Sequence, residues 1–168
     1  MTKKSSNKSA NEYLMVSDSE LECVAYCGLY CDLCAQRAEV PVRSKALIES
    51  LHDEGFDDFY RYDPEMKESF PPFWNFLRKL ASFECSCRNN SGGPPDCPIR
   101  ECAREKNIVA CPFCESYPCH HIEKLARRYP FLIPDGKRMK EIGLEEWIGE
   151  QKVRSSRGFR YSLVRNPH

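Results

Sequence analysis

Cysteine is the residue type that dominates the chemistry open to this chain. Eleven of its 168 residues are cysteines, several times the usual share. Seven of them fall in residues 85–119, a stretch with many turn-forming glycines and prolines and few large apolar side chains. Because such a stretch buries little apolar surface, disulfide bonds or metal ions must hold it together.

Two features of the chain favour metal over disulfides. The opening residues, MTKKSSNKSANEYLM, lack the apolar segment of a secretory signal, and no apolar run approaches the roughly 18 residues that span a membrane. We therefore expect a cytoplasmic protein with no membrane association, and cytoplasmic thiols stay reduced. The odd number of cysteines also argues against complete pairing within one chain.

The spacing of the cysteines predicts metal ligands. From Cys27 to Cys34 the spacing is C-x3-C-x2-C, which can converge on one ion from a helix face or from a loop that turns at Gly28. The C-x2-C pair at Cys111 and Cys114 suits a tetrahedral zinc knuckle. The predicted ligands are Cys27, Cys31, Cys34, Cys85, Cys87, Cys97, Cys102, Cys111, Cys114 and Cys119. Cys23 is interpreted as a core residue.

Two enzymatic interpretations of these spacings fit less well. The C-x3-C-x2-C spacing also occurs in radical-SAM enzymes, but this chain lacks the alternating strands and helices that their barrel requires. The pair Cys111 and Cys114 could be a thioredoxin-type redox pair, but only a very short strand could precede it. We therefore favour structural ligation for both motifs.

Zinc is the predicted cofactor, and a [4Fe–4S] cluster is the alternative, because thiolates suit both metals. His120 and His121 are the first candidates for a nitrogen ligand, but ten thiolates make one unnecessary, and we expect both on a helix surface. His52 is expected at the surface as well. Four basic residues among the cysteines could offset the charge of bound thiolates: Arg88, Arg100, Arg104 and Lys106.

The remaining sequence predicts helices. Apolar residues recur at helical spacing in 42–84, with Gly55 as a stop, and again in 124–161, whose helices we expect to dock against those of 42–84. Asp96 is expected to cap a short helix after Cys97. The predicted fold class is mainly α, a small helical domain with irregular, cysteine-rich loops stapled by metal.

The predicted boundaries follow from this pattern. Residues 1–19 form a tail, 20–161 a single cysteine-rich helical domain, and 162–168 a C-terminal tail. Within the domain, 23–36 and 83–121 together make a metal subdomain.

Charge is balanced overall but unevenly distributed. Residues 12–84 carry 15 acidic and 7 basic groups, and residues 124–168 carry 5 acidic and 11 basic groups. The arginines at 154, 157, 160 and 165 could contact nucleic acid, but a solvated face paired with the acidic half is the favoured interpretation. No phosphate-binding glycine loop, G-x-S-x-G or H-E-x-x-H occurs, so no catalytic residue is predicted.

Several segments together resemble a bacterial and archaeal family known as domain of unknown function 3795. They are AYCGLYCDLC (25–34), Cys87-Arg88 with the glycine loop that follows, CPIRECAREKNI (97–108), CPFCESYPC (111–119) and the tail 141–161. Where this chain has Cys85-Ser86-Cys87, the pattern of the family is closer to C-x-G-C. The resemblance implies a zinc-binding domain without a settled activity. A structural or interaction module with a protein partner is the expected function, and iron–sulfur electron transfer or a zinc–thiolate enzyme are the alternatives.

Overall fold

The computed structural model describes residues 16–165, which fold mainly as α-helices with short 3-10 turns. Within that range no strand forms, and the one β-type pairing is an isolated bridge between Val24 and Tyr30. The helices are α1 (Asp18–Glu22), α2 (Ala35–Ala38), α3 (Val40–Asp53), α4 (Phe56–Phe59), α5 (Pro64–Ala81), α6 (Pro98–Glu105), α7 (His120–Ala126), α8 (Leu132–Ile142) and α9 (Leu144–Ser156). The expectation of a mainly α fold is confirmed, while most of the predicted N-terminal tail lies outside the described residues.

Side-chain caps explain two of the helix starts. Ser17 caps α1 in a capping box with Glu20, and the Asp63 carboxylate accepts a hydrogen bond from the Met66 N–H at the start of α5. The expected cap of α6 at Asp96 is wrong. Because the helix begins at Pro98, its N-cap residue is Cys97 and not Asp96. The Cys97 side chain makes no capping hydrogen bond.

The first core joins the two ends of the described chain. It is formed by Val24, Tyr30, Leu33, Ala110, Met139, Leu144, Trp147, Ile148 and Tyr161. The Trp147 ring lies edge-on to Tyr30 at 6.0 Å, and the Tyr161 hydroxyl accepts a 2.8 Å hydrogen bond from the Tyr30 N–H. Helix α9 therefore packs on the N-terminal cysteine segment.

A second core, called here the cysteine core, adjoins the first. Its buried members are Ala25, Cys27, Cys31, Ile99, Ala103, Cys111, Ile122 and Leu132. Cys87, Cys97 and Cys119 pack around it, half-buried. The cysteine core therefore contains residues from both of the predicted cysteine-rich segments.

Helices α3 and α5 form a hairpin, residues 40–81, that stands apart from both cores. They pack on one another and on the short helical turns that join them, and none of α6–α9 makes more than marginal contact with either. The expectation that the C-terminal helices dock against 42–84 is therefore wrong. Trp147 instead meets Val24, Tyr30 and Leu33.

Candidate metal centre

The first cysteine motif is a compact turn, not a helix face. The Ala25 N–H donates to the Leu29 carbonyl at 2.9 Å, and Gly28 turns the chain with φ +94°. Glycine adopts this left-handed backbone without strain, as expected of Gly28. Cys27 and Cys31 are buried on either side of the turn, and Cys34 is half-buried.

The two C-x2-C pairs share one local geometry. Cys31–Leu33 and Cys111–Phe113 are both 3-10 turns, and the N–H of the second cysteine donates to the carbonyl of the first in each. The bonds are 3.0 Å for Cys34 to Cys31 and 2.9 Å for Cys114 to Cys111. Helix α9 packs on the first turn and α8 on the second. Each pair therefore lies in a tight turn, and one C-terminal helix packs against that turn.

The segments that carry the two pairs also touch each other. The Cys111 N–H donates to the Tyr26 carbonyl at 2.7 Å. A Cβ added to Gly28 would lie 3.2 Å from Cγ of Pro112, so the backbone beside Cys27 lies close against the second turn. The segments are about 80 residues apart in sequence, yet Cys27, Cys31 and Cys111 share the cysteine core.

Burial and mutual repulsion suppress ionisation of the buried thiols. Burial, and to a smaller extent the thiols of Cys87, Cys111 and Cys97, raise the pKa of Cys27 to about 12. Burial, and then the thiols of Cys119, Cys102, Cys114 and Cys97, raise the pKa of Cys111 to about 12. These thiols therefore lie within electrostatic reach of one another.

A second set of thiols surrounds Cys31. Burial raises the pKa of Cys31 above its usual value, and Cys27, Cys85 and Cys23 add to the effect. The Cys85 pKa is raised by burial and then by Cys34 and Cys87. Every predicted ligand therefore lies within electrostatic reach of at least one other predicted ligand.

Backbone N–H groups act on two of the thiols. The Leu29 N–H lowers the pKa of the Cys27 thiol, and the Gly93 N–H lowers the pKa of the Cys85 thiol, each against the larger, opposing effect of burial. Both N–H groups favour the charged form of a thiol that burial alone would keep protonated.

Arginines hold the cysteine-rich loops through backbone carbonyls. Arg100 is 2% exposed, and its guanidinium donates to the carbonyls of Gly92, Pro94 and Pro95. Arg88 donates to the carbonyls of Leu21, Val24 and Val109, and so ties the N-terminal segment to the residues before Cys111.

The expected charge-offsetting role of the basic residues is only partly seen. Arg88 and Arg100 bond to backbone oxygens, and Arg104 donates to the Arg88 carbonyl at 2.7 Å. Lys106 does approach a thiol, with its Nζ 3.7 Å from the Cys114 sulfur. Arg37, which the sequence did not single out, lies 3.5 Å from the Cys23 sulfur and 2.7 Å from the Cys85 carbonyl. The sequence does not indicate that these arginines bind backbone carbonyls, because every residue of the chain has a carbonyl acceptor.

The other candidate residues lie at the edge of this arrangement. Cys23 packs against the first core, where its thiol donates to the Ser19 carbonyl. His120 is exposed and His121 half-buried, with their ring centroids 3.7 Å apart at the start of α7. His52 pairs with Asp57 at 2.7 Å on the surface of the hairpin.

All eleven cysteines are free thiols, and they all lie within the described residues. Between residues 16 and 165, no three side chains of His, Cys, Asp or Glu are grouped closely enough to hold a metal ion. The donor set nevertheless fits a thiolate-binding metal in kind: it offers sulfur and two tight C-x2-C turns. No helix in the same range is long and apolar enough to cross a membrane.

The arginines of the C-terminal region pair largely within the molecule. Arg154 donates to Asp135 at 2.8 Å, and Arg160 lies 3.2 Å from Glu39. Lys152 pairs with Glu20. The last two contacts join the basic and acidic halves of the chain, as the favoured interpretation of the charge pattern expects.

Comparison with known proteins gives one match. The sequence profile of a family described as "Protein of unknown function (DUF3795)" matches residues 23–124, more than half of the chain. The match includes all eleven cysteines and ends before the tail segment 141–161. Searches of curated proteins and of solved structures return no match.

Proposed function

The chain belongs to the DUF3795 family of proteins of unknown function, and we propose that within it the cysteine-rich residues form a cytoplasmic zinc–thiolate module with a structural or interaction role. The observation that carries the proposal is the meeting of Cys27 and Cys31 with Cys111 in one buried core. Three buried thiols from distant segments, each next to further thiols, make a poor apolar core but a good source of ligands.

We assign the ten predicted ligands to two groups of five. The first group is Cys27, Cys31, Cys34, Cys85 and Cys87, and the second is Cys97, Cys102, Cys111, Cys114 and Cys119. Mutual effects on thiol pKa support this division for the other cysteines, while Cys27 is coupled both to Cys87 and to Cys97 and Cys111 and so lies between the groups. Each group also contains one of the two 3-10 turns. Since a closed zinc site takes four ligands, each group can supply one site with one cysteine to spare.

The role of the chain's own residues follows from this assignment. Zinc supplies a positive charge that keeps thiolates ionised at neutral pH, which the buried sulfurs resist without it. The N–H groups of Leu29 and Gly93 favour the thiolate forms of Cys27 and Cys85, and Lys106 places a positive charge beside Cys114. Arg88 and Arg100 hold the intervening loops in place.

The metal content of anaerobically purified protein tests the proposal. We expect stoichiometric zinc, a colourless solution and no response to dithionite. Cys27→Ser and Cys111→Ser should each lower the zinc content, while Cys23→Ser, the matched control, should leave it unchanged. Protein that binds no metal when its thiols are fully reduced would contradict the proposal.

Two results would instead favour the alternatives. Iron with acid-labile sulfide and a brown colour would indicate an iron–sulfur protein. Zinc held by three protein ligands with one exchangeable position would favour an enzyme that activates a thiol or a water molecule.

A further inference from the structure

The α3–α5 hairpin leaves six large apolar side chains exposed. Its buried residues are Ser44, Phe70, Leu77 and Ala81. Its exposed large apolar side chains are Val42, Leu47, Phe59, Tyr62, Phe73 and Phe76. Because none of α6–α9 packs on the hairpin, the described chain provides no cover for these side chains.

Two phenylalanines show the pattern most clearly. Phe73 and Phe76 are three residues apart on α5, so they share one helix face, and they are 44% and 60% exposed. The buried face of the same helix carries Phe70 and Leu77. Helix α5 therefore has apolar side chains on two faces, and the packing within the hairpin buries only one of them. Large exposed apolar patches on proteins mark interaction sites.

Charge is segregated along the hairpin. Its tip, residues 49–68, carries eight acidic and two basic groups, for a net charge of −6. Its base carries four basic groups and no acid, namely Arg43 and Lys45 in residues 40–48 and Arg78 and Lys79 in residues 69–81. The hairpin is thus negative at one end and positive at the other.

We propose that the hairpin is a self-association surface whose occupant is the hairpin of a second copy of this chain, in antiparallel orientation. Two-fold pairing places the acidic tip of each hairpin beside the basic base of its partner, so one surface complements itself. Parallel pairing would bring two tips of charge −6 together and is disfavoured by repulsion. The exposed phenylalanines supply the apolar part of the four-helix contact.

This surface is separate from the proposed metal module. No cysteine lies between residues 40 and 81, and neither core contains a residue of the hairpin. Loss of metal and loss of self-association can therefore be measured independently of each other.

A charge-exchange experiment on the full chain tests the proposal. A tip variant, Glu65→Lys with Glu68→Lys, and a base variant, Arg78→Glu with Lys79→Glu, change only exposed side chains. Sedimentation velocity should find a dimer for the unaltered chain. We expect each variant to raise the dimer dissociation constant at least about tenfold. The tip variant reduces the net charge of the tip from −6 to −2, and the base variant removes the net charge of the base, so each weakens the attraction between tip and base. Mixing the two variants should restore a dimer that contains one copy of each.

Two controls make the result specific. Glu145→Lys with Glu146→Lys makes the same change in net charge on exposed positions of α9 and should leave the dimer intact. Phe73→Ser with Phe76→Ser should abolish the dimer, while circular dichroism checks that the helices remain.

The proposal fails on either of two outcomes. One is an unaltered chain that stays monomeric at tens of micromolar, whether or not the metal is bound. If the unaltered chain is monomeric but a chain without residues 1–15 forms a dimer, the basic segment 1–15 is the occupant of the hairpin surface instead of a second copy. The other is a dimer that withstands both the charge reversals and the loss of the phenylalanines.

Discussion

At the scale of single residues, close packing around the sulfurs is what distinguishes the cysteine segments from ordinary loops. The Gly92 N–H donates to the Ser86 carbonyl at 3.0 Å, and the Gly92 backbone lies directly against the Cys85 side chain. A Cβ at this position would come within 2.6 Å of the Cys85 sulfur and 3.1 Å of the Ser86 nitrogen. A backbone nitrogen cannot move aside as a flexible side chain can.

Gly92→Ala should therefore destabilise the protein by about 1–3 kcal/mol, the usual cost of overpacking, and lower its metal content. Thermal unfolding and metal analysis measure the two effects. Gly149→Ala is the matched control, because nothing lies within 4 Å of its added Cβ and alanine favours a helix interior. Equal stabilities for the two variants would contradict the close packing at Cys85.

A second residue-scale prediction concerns the hairpin tip. The hydrogen bond to Asp57, and then the charge of that carboxylate, raise the pKa of His52 above its usual value. The pair therefore contributes stability that is fully present below about pH 6.5, the unfolded value, and is lost as pH rises through the higher folded pKa. In an NMR titration, Asp57→Asn should return the His52 pKa to near 6.5. An unchanged His52 pKa would rule out the pairing.

The sequence predicts these residue-scale features unevenly. Cysteine spacing alone points to the two C-x2-C turns, because only a few backbone geometries bring such pairs together. The spacing does not indicate that Arg88 and Arg100 bind backbone carbonyls. Those carbonyls come together around each guanidinium only when the chain has folded. The cap of α6 is missed for a simpler reason: Pro98 starts the helix one residue later than a cap at Asp96 requires.

At the scale of elements, helix existence is predictable but helix partners are not. Apolar spacing predicts helices in 42–84 and 124–161, and helices form in both. The same spacing shows that a helix has an apolar face without showing what that face meets. Trp147 therefore packs on Tyr30 of the N-terminal turn, and Phe76, one of the apolar residues of 42–84, is 60% exposed.

The hairpin should behave as a local unit. Phe70 is its main buried aromatic, stacked on Tyr60 at 4.8 Å and on Trp74 at 5.3 Å. Phe70→Ala should cost about 3–5 kcal/mol locally, and amide protection in 64–81 should fall while protection in 144–156 persists. Tyr62→Ala, at a position 79% exposed, is the control and should change neither. A uniform loss of protection would show that the hairpin and the cores unfold together.

At the scale of the whole molecule, the cysteine core is the point where the N-terminal segment, the loops from 85 to 119 and the C-terminal helices meet. The direct bonds between segments there include Cys111 to Tyr26 and Arg88 to Val24. Residues 85–121 hold five prolines and little aliphatic surface, so their own apolar burial offsets little of the backbone entropy that is lost when they become ordered. Metal binding by the proposed ligands would add folding free energy to this segment.

Hydrogen exchange with and without a zinc chelator tests the central claim, that metal and fold are coupled in the cysteine segments, most directly. Chelation should remove amide protection from 27–34 and 85–121 together, because both segments supply the proposed ligands. Protection in 73–80, within the hairpin and outside the cysteine core, should persist. Cysteine segments that keep their full protection after the metal has been removed would contradict the account.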